Sequence, residues 1–97
     1  MHLRLMGEFD RAAVGRVENA LERVFQAPTT RRVVFDLRRL IFLDAAGLRT
    51  ILRANERARA GACELVVARP RGTANRVFTL TGAGRELSMV DEPEVMA

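Results

Sequence analysis

Two carboxylates, Asp36 and Asp44, stand where this sequence can place chemistry. Asp36 interrupts the apolar run Val33-Val34-Phe35-Asp36-Leu37. A carboxylate inside such a run serves either as a metal or phosphoryl ligand, or as an acceptor for backbone amides or an arginine; the second reading is favoured. Asp44 precedes Ala45-Ala46-Gly47-Leu48, after which the spacing turns helical, with Leu48, Ile51, Leu52 and Asn55 on one side. Asp44 can therefore cap that helix by accepting bonds from its first-turn amides. A helix start carries unpaired N–H groups and a partial positive charge, which suits an anion or a partner's carboxylate. Along the same helix Arg49, Arg53 and Arg57 form a basic ridge, either a solvated face or a contact surface.

Other reactive groups are sparse. The chain has one histidine (His2), one serine (Ser88) and one cysteine (Cys63), with no Gly-x-Ser-x-Gly, Cys/His pair or metal-ligand spacing. No catalytic centre, metal site or cofactor is expected. All 16 basic side chains are arginine. Without lysine the chain cannot supply a Walker-type phosphate lysine, a Schiff base or the lysine of a receiver-type phosphorylation site. The formal charge of +4 is spread along the chain, and Trp and Tyr are absent, so nucleic-acid binding is not expected. No apolar run approaches the ~20 residues that cross a bilayer. Residues 1–10 lack a secretory pattern, and a lone cysteine fits a reducing compartment. The expectation is a cytoplasmic protein with no membrane insertion.

The 97 residues make one domain. His2 to Phe9 reads as a strand with a bend near Gly7. Asp10 is placed to cap a helix over Arg11 to Gln26, with Val14, Val17, Leu21, Val24 and Phe25 as its apolar stripe. The central strand holds Val33 to Leu37. A short connector then leads to Ile41-Phe42-Leu43, expected to return the chain to the interior. The helix opened by Asp44 runs from about Ala45 to Ala60, and Gly61 stops it. Cys63 to Ala68 reads as a strand, Pro70 to about Leu80 as a helix, and Glu86 to Val90 as a last strand. The tail, residues 91–97, is expected to be loose. Strands alternating with helices imply an α/β fold: a mostly parallel central sheet of about four strands, three or four helices and right-handed crossovers. In such sheets function gathers at the carboxyl ends of strands, where Asp44 lies.

The stretch FDLRRLIFLDAAGLRTIL resembles the core of STAS domains, in particular bacterial anti-sigma factor antagonists. Their pattern is an apolar strand ending in Asp-Leu, then Phe-x-Asp-Ser-(Ser/Thr)-Gly-Leu and a helix. Gly7-Glu8-Phe9-Asp10 is similar to the family's Gly-Glu-Leu-Asp before helix 1, and Arg76-Val77-Phe78-Thr79-Leu80-Thr81-Gly82 to the segment closing helix 3. The resemblance spans roughly residues 3–90. It implies a STAS-like module that binds an anti-sigma factor, often a serine kinase, and so frees a sigma factor. The surface implied comprises Asp10, Asp44, Ala45, Ala46, Gly47, Leu48, Arg49 and Arg53.

The family's kinase phosphorylates a hydroxyl in this motif, usually at the position of Ala46. Here Ala45 and Ala46 replace both hydroxyl residues, so the switch has no oxygen to act on. Thr50, one turn on, is the nearest remaining hydroxyl. The expectation is an antagonist that stays competent to bind, or alternatively a STAS subunit of a larger signalling assembly or a lipid or anion transporter. A third reading, a small nucleotide-binding domain, lacks a glycine-rich phosphate loop. The family also has one more strand ahead of the first one read here. Either the sheet has an exposed edge, which invites pairing with a second copy, or the start lies upstream.

Overall fold

The longest strand sets the architecture. In the computed structural model, which describes residues 1–93, β2 (Arg32–Leu43) runs without interruption. It pairs in parallel with β1 (His2–Phe9): Arg4 lies opposite Asp36, Met6 opposite Arg39, Gly7 opposite Leu40, Glu8 opposite Phe42 and Phe9 opposite Leu43. β2 therefore carries one extra residue between Asp36 and Arg39, and another between Leu40 and Phe42. These are two β-bulges. They replace the expected connector after Leu37, because a bulged strand keeps its pairing while breaking the alternation of its side chains.

The bulges decide which residues of β2 face the core. Leu37, Leu40 and Leu43 are buried, and between them lie the pairs Arg38-Arg39 and Ile41-Phe42. Ile41 is 68% and Phe42 48% exposed. The expectation that both return to the interior is thus corrected: of the three residues Ile41 to Leu43, only Leu43 does so.

The order of the sheet is β1-β2-β3-β4, all parallel, with β3 at Glu64–Ala68 and β4 at Ser88–Val90. This is the α/β architecture that the alternation of elements predicts. Helices α1 (Arg11–Gln26), α2 (Ala45–Ala60) and α3 (Thr73–Thr81) contribute to one apolar cluster. Val17 and Leu21 of α1, Ile51 and Ala58 of α2, and Phe78 of α3 meet Val33, Phe35, Leu37, Leu65 and Val67 of the strands. Phe9 stacks on Phe35 with ring centroids 6.5 Å apart. By alternation Val34, Asp36 and Val66 point to the reverse side of the sheet; they are buried, yet outside this cluster.

Element ends depart from expectation for local reasons. Helix α3 starts three residues after Pro70, because Gly72 adopts a left-handed φ of 71° and breaks any earlier turn. Gly82, at φ 77°, closes α3 as a left-handed cap. After α2 the left-handed residue is Ala62 (φ 57°), and Gly61 itself is at φ −98°. Strand β4 is shorter than expected, because Glu86 completes a 3-10 turn over Ala83–Arg85 and Leu87 enters the core. Of the tail expected to be loose, Asp91 pairs with Arg69 at 2.7 Å, and Glu92 pairs with Arg38 and Arg71. Residues 94–97 lie outside the described residues.

One contact fixes how α2 enters the fold. A Cβ on Gly47 would stand 2.5 Å from the Phe9 carbonyl oxygen and 2.8 Å from Leu43 Cδ1. Glycine lets the first turn of α2 lie against the ends of β1 and β2. Gly47→Ala should therefore destabilise the protein by about 2 kcal/mol, the usual cost of overpacking a site that cannot yield. Urea denaturation would read this as a lower midpoint with unchanged slope.

Candidate functional site

Strands β1 and β2 end side by side, and the Asp44 amide donates to the Phe9 carbonyl at 3.3 Å. This brings the Asp44 side chain between the first turns of two helices. Its Oδ1 accepts from the Gly47 amide of α2 at 2.8 Å, and its Oδ2 accepts from the Arg11 amide of α1 at 3.1 Å. One carboxylate thus serves both helix starts, each with its partial positive charge. The role expected of Asp10 is corrected here: Asp10 holds the N-cap position of α1, but its side chain makes no capping bond. Only its backbone carbonyl engages, accepting from the Ala13 amide at 3.0 Å.

The other residues of the expected surface divide. Ala45 and Arg49 are exposed, and Ala46 is half-buried. Gly47 and Leu48 are buried, Gly47 against Phe9 and Leu43 and Leu48 in the core cluster, so neither offers a side chain to a partner. Thr50 is 3% exposed and its Oγ1 donates to the Ala46 carbonyl at 3.0 Å, which turns the nearest remaining hydroxyl away from solvent. The amides of Ala45 and Ala46 have no acceptor among the described residues.

The basic ridge of α2 faces α1 along part of its length. Arg57 binds both carboxylate oxygens of Glu22, with its Nη2 3.0 Å from Oε1, and it stacks over Phe25 at 5.1 Å. The Glu22 carboxyl is held below its ordinary range chiefly by this hydrogen bonding. Arg53 approaches Glu18 at 4.0 Å. Arg49, nearest the corner, has no ion pair among the described residues.

Sequence reasoning missed the apolar neighbours of this corner. Ile41 and Phe42, exposed by the second bulge, immediately precede Leu43 and Asp44. With Leu43, Thr73, Ala74 and Val77 they line a shallow cavity between the end of β2 and α3. The available signal was the three-residue spacing of Leu37, Leu40 and Leu43, which fits neither a regular strand nor a helix.

Asp36 takes the role favoured for it. It is 3% exposed; its Oδ1 accepts from the Arg38 amide (3.1 Å) and Nε (3.0 Å), and its Oδ2 from Arg38 Nη2 (3.0 Å). Arg4 Nε stands 3.7 Å away. The Arg38 side-chain bonds hold the Asp36 carboxyl below its ordinary value against the opposing effect of burial; the Arg38 amide and the charges of Arg38 and Arg4 add to the lowering. Among the described residues no group of His, Cys, Asp and Glu side chains is arranged to hold a metal ion, and no helix is long and apolar enough to cross a membrane.

Comparison with known proteins gives a consistent picture. The sequence signature of the STAS domain matches residues 1–94. Over 82 residues the chain is 27% identical to an anti-sigma F factor antagonist from Lysinibacillus sphaericus, covering 84% of this chain and 70% of that one. Two solved structures share the fold. The anti-sigma factor antagonist SpoIIAA in its unphosphorylated form has a TM-score of 0.72 at 24% identity, over 95% of this chain and 79% of that one. A sulfate transporter family protein from Wolinella succinogenes has a TM-score of 0.79 at 16% identity, over 94% and 75%.

Two outcomes follow from the carboxylates. Asp44→Ala removes both caps and should cost about 2 kcal/mol, taking about 1 kcal/mol for each. Asp44→Asn keeps one oxygen and should cost about half as much, as read by urea denaturation. For Asp36 the folded pKa is depressed, so its contribution is complete above the unfolded value near 3.8 and is lost as the pH falls through the folded one. Asp36→Asn should lower stability by about 2 kcal/mol at pH 7 and flatten the fall in stability below about pH 4. Thermal melts across pH 2–7 would show an unchanged acid limb if Asp36 had no such role.

Proposed function

Because the chain belongs to the STAS domain family, we propose that it is a non-catalytic, cytoplasmic protein-binding module that engages an anti-sigma factor and so releases a sigma factor. The observation carrying this reading is the corner at Asp44, which offers an exposed start of α2 beside two exposed apolar residues. Its binding surface would comprise Ala45, Ala46, Arg49 and Arg53, with Ile41 and Phe42 as an apolar rim. Asp44 supports that surface from beneath, since both its oxygens are already engaged within the fold.

The partner proposed is an anti-sigma factor of the serine-kinase type. Ala45 and Ala46 leave such a kinase no hydroxyl at the usual place, and Thr50 is turned inward. The module would then stay in the state that binds, and its control would lie in its abundance or in its partner. A phosphate at this point would bring nearly two negative charges beside Asp44. The relative from Lysinibacillus sphaericus favours this reading over a STAS subunit of a signalling assembly or transporter. The transporter-family structure shares the fold and carries the argument no further.

Affinity capture from the native host, with the bound proteins identified by mass spectrometry, separates the readings. An ATP-binding anti-sigma protein among them supports the proposal; transporter subunits in its place would overturn it. With that partner purified, Ala46→Asp should weaken binding by roughly tenfold or more in a calorimetric titration, an effect of about 1.4 kcal/mol. Ala46→Ser should bind as the parent does and gain phosphate mass when incubated with the partner and ATP.

A further inference from the structure

The first bulge of β2 builds a feature that partner binding at Asp44 does not use. Arg4, Asp36, Arg38, Arg39 and Arg71 line a cavity of ≈ 300 Å³. Its four arginines come from three separate segments: β1, the bulge in β2 and the link between β3 and α3. Among the described residues the one acid lining it is Asp36, which is engaged by Arg38 and, at 3.7 Å, by Arg4. The pairing with Arg38 fixes its guanidinium through Nε and Nη2 and leaves Nη1 directed outward.

A carboxylate already sits on this arrangement. Glu92 Oε2 accepts from Arg38 Nη1 at 2.7 Å and Oε1 accepts from Arg71 Nη2 at 3.2 Å, one guanidinium to each oxygen. The Glu92 side chain is itself 67% exposed and lies two residues beyond β4, and among the described residues its side-chain partners are these two arginines. Arg39 has no ion pair among the described residues. The four arginines against Asp36 and Glu92 leave a local charge of +2, rising to +3 when Glu92 withdraws.

From this we infer that the cavity is a binding site for a phosphate-type oxyanion, free or borne on a small molecule, and that Glu92 is its displaceable internal occupant. A planar carboxylate presents two oxygens, which Arg38 and Arg71 satisfy. A phosphate presents three or more with greater charge, and so can also engage Arg39 and Arg4. Guanidinium groups suit that geometry, because their paired N–H donors match phosphate oxygens. The buried Asp36 carboxylate supplies the preorganisation by holding Arg38 in place before any ligand arrives.

The test is a calorimetric titration of the full chain with pyrophosphate at low ionic strength. Glu92→Gln should tighten binding at least threefold, since it removes the competing charge. Arg39→Gln, at an exposed position, should weaken it at least threefold with an unchanged melting temperature. Arg59→Gln, an exposed substitution on α2, should leave it unaltered. ATP and adenosine identify the source: ATP binding more tightly than pyrophosphate marks a nucleotide, and equal affinity marks the phosphate group alone. Absence of pyrophosphate binding in both parent and Glu92→Gln would overturn the inference. Equal losses in Arg39→Gln and Arg59→Gln would also overturn it, as the signature of diffuse positive charge. Neither readout involves the protein partner, so this site stands or falls apart from the proposal for Asp44.

Discussion

The carboxylate of Asp44, shared between the first turns of α1 and α2, is the constraint on which the arrangement depends. Two helix starts converge where β1 and β2 end, and each brings unpaired amides and positive partial charge to one place. No acidic residue occupies the first turn of either helix. A single side chain answers both needs, and its position is set by the backbone bond from its own amide to Phe9. Gly47 completes the arrangement, since any larger residue would push α2 off the strand ends. The geometry of the corner thus follows from sheet, helix and side chain acting together.

Much of this was legible in the order of residues, because the signals are local. The helical spacing after Asp44, and the two helices it adjoins, are written in windows of a few residues. The cap on Gly47 is of the same kind. The second cap was illegible: Arg11 lies 33 residues from Asp44 in sequence, and Asp10 occupies the position that a local rule would choose. Pairing between distant strands decides which cap forms, and the sequence of either segment alone does not encode it.

The bulges of β2 teach the same lesson more sharply. Strand reasoning assumes a period of two, and a bulge shifts that period by one residue. Two in succession turn Leu37-Arg38-Arg39-Leu40-Ile41-Phe42-Leu43 into a pattern with two outward residues for each inward one. Read as an apolar run, Ile41 and Phe42 look internal and Arg38-Arg39 look like a connector. In the fold these pairs are the most distinctive surfaces of the strand, one apolar and one basic. The fold class survives such errors because it rests on the sequence of elements, whereas the surface depends on each residue's facing.

The free edge of β1 has a consequence of its own. Its outer backbone groups have no neighbour among the described strands, which ordinarily makes a template for unlimited sheet growth. Gly7, at φ 80°, interrupts that ladder, and Arg4 and Glu8 set opposite charges along it. An incoming strand would find regular backbone only between His2 and Met6. As the described residues present it, this border can accept a brief, discrete contact while resisting fibril-like propagation.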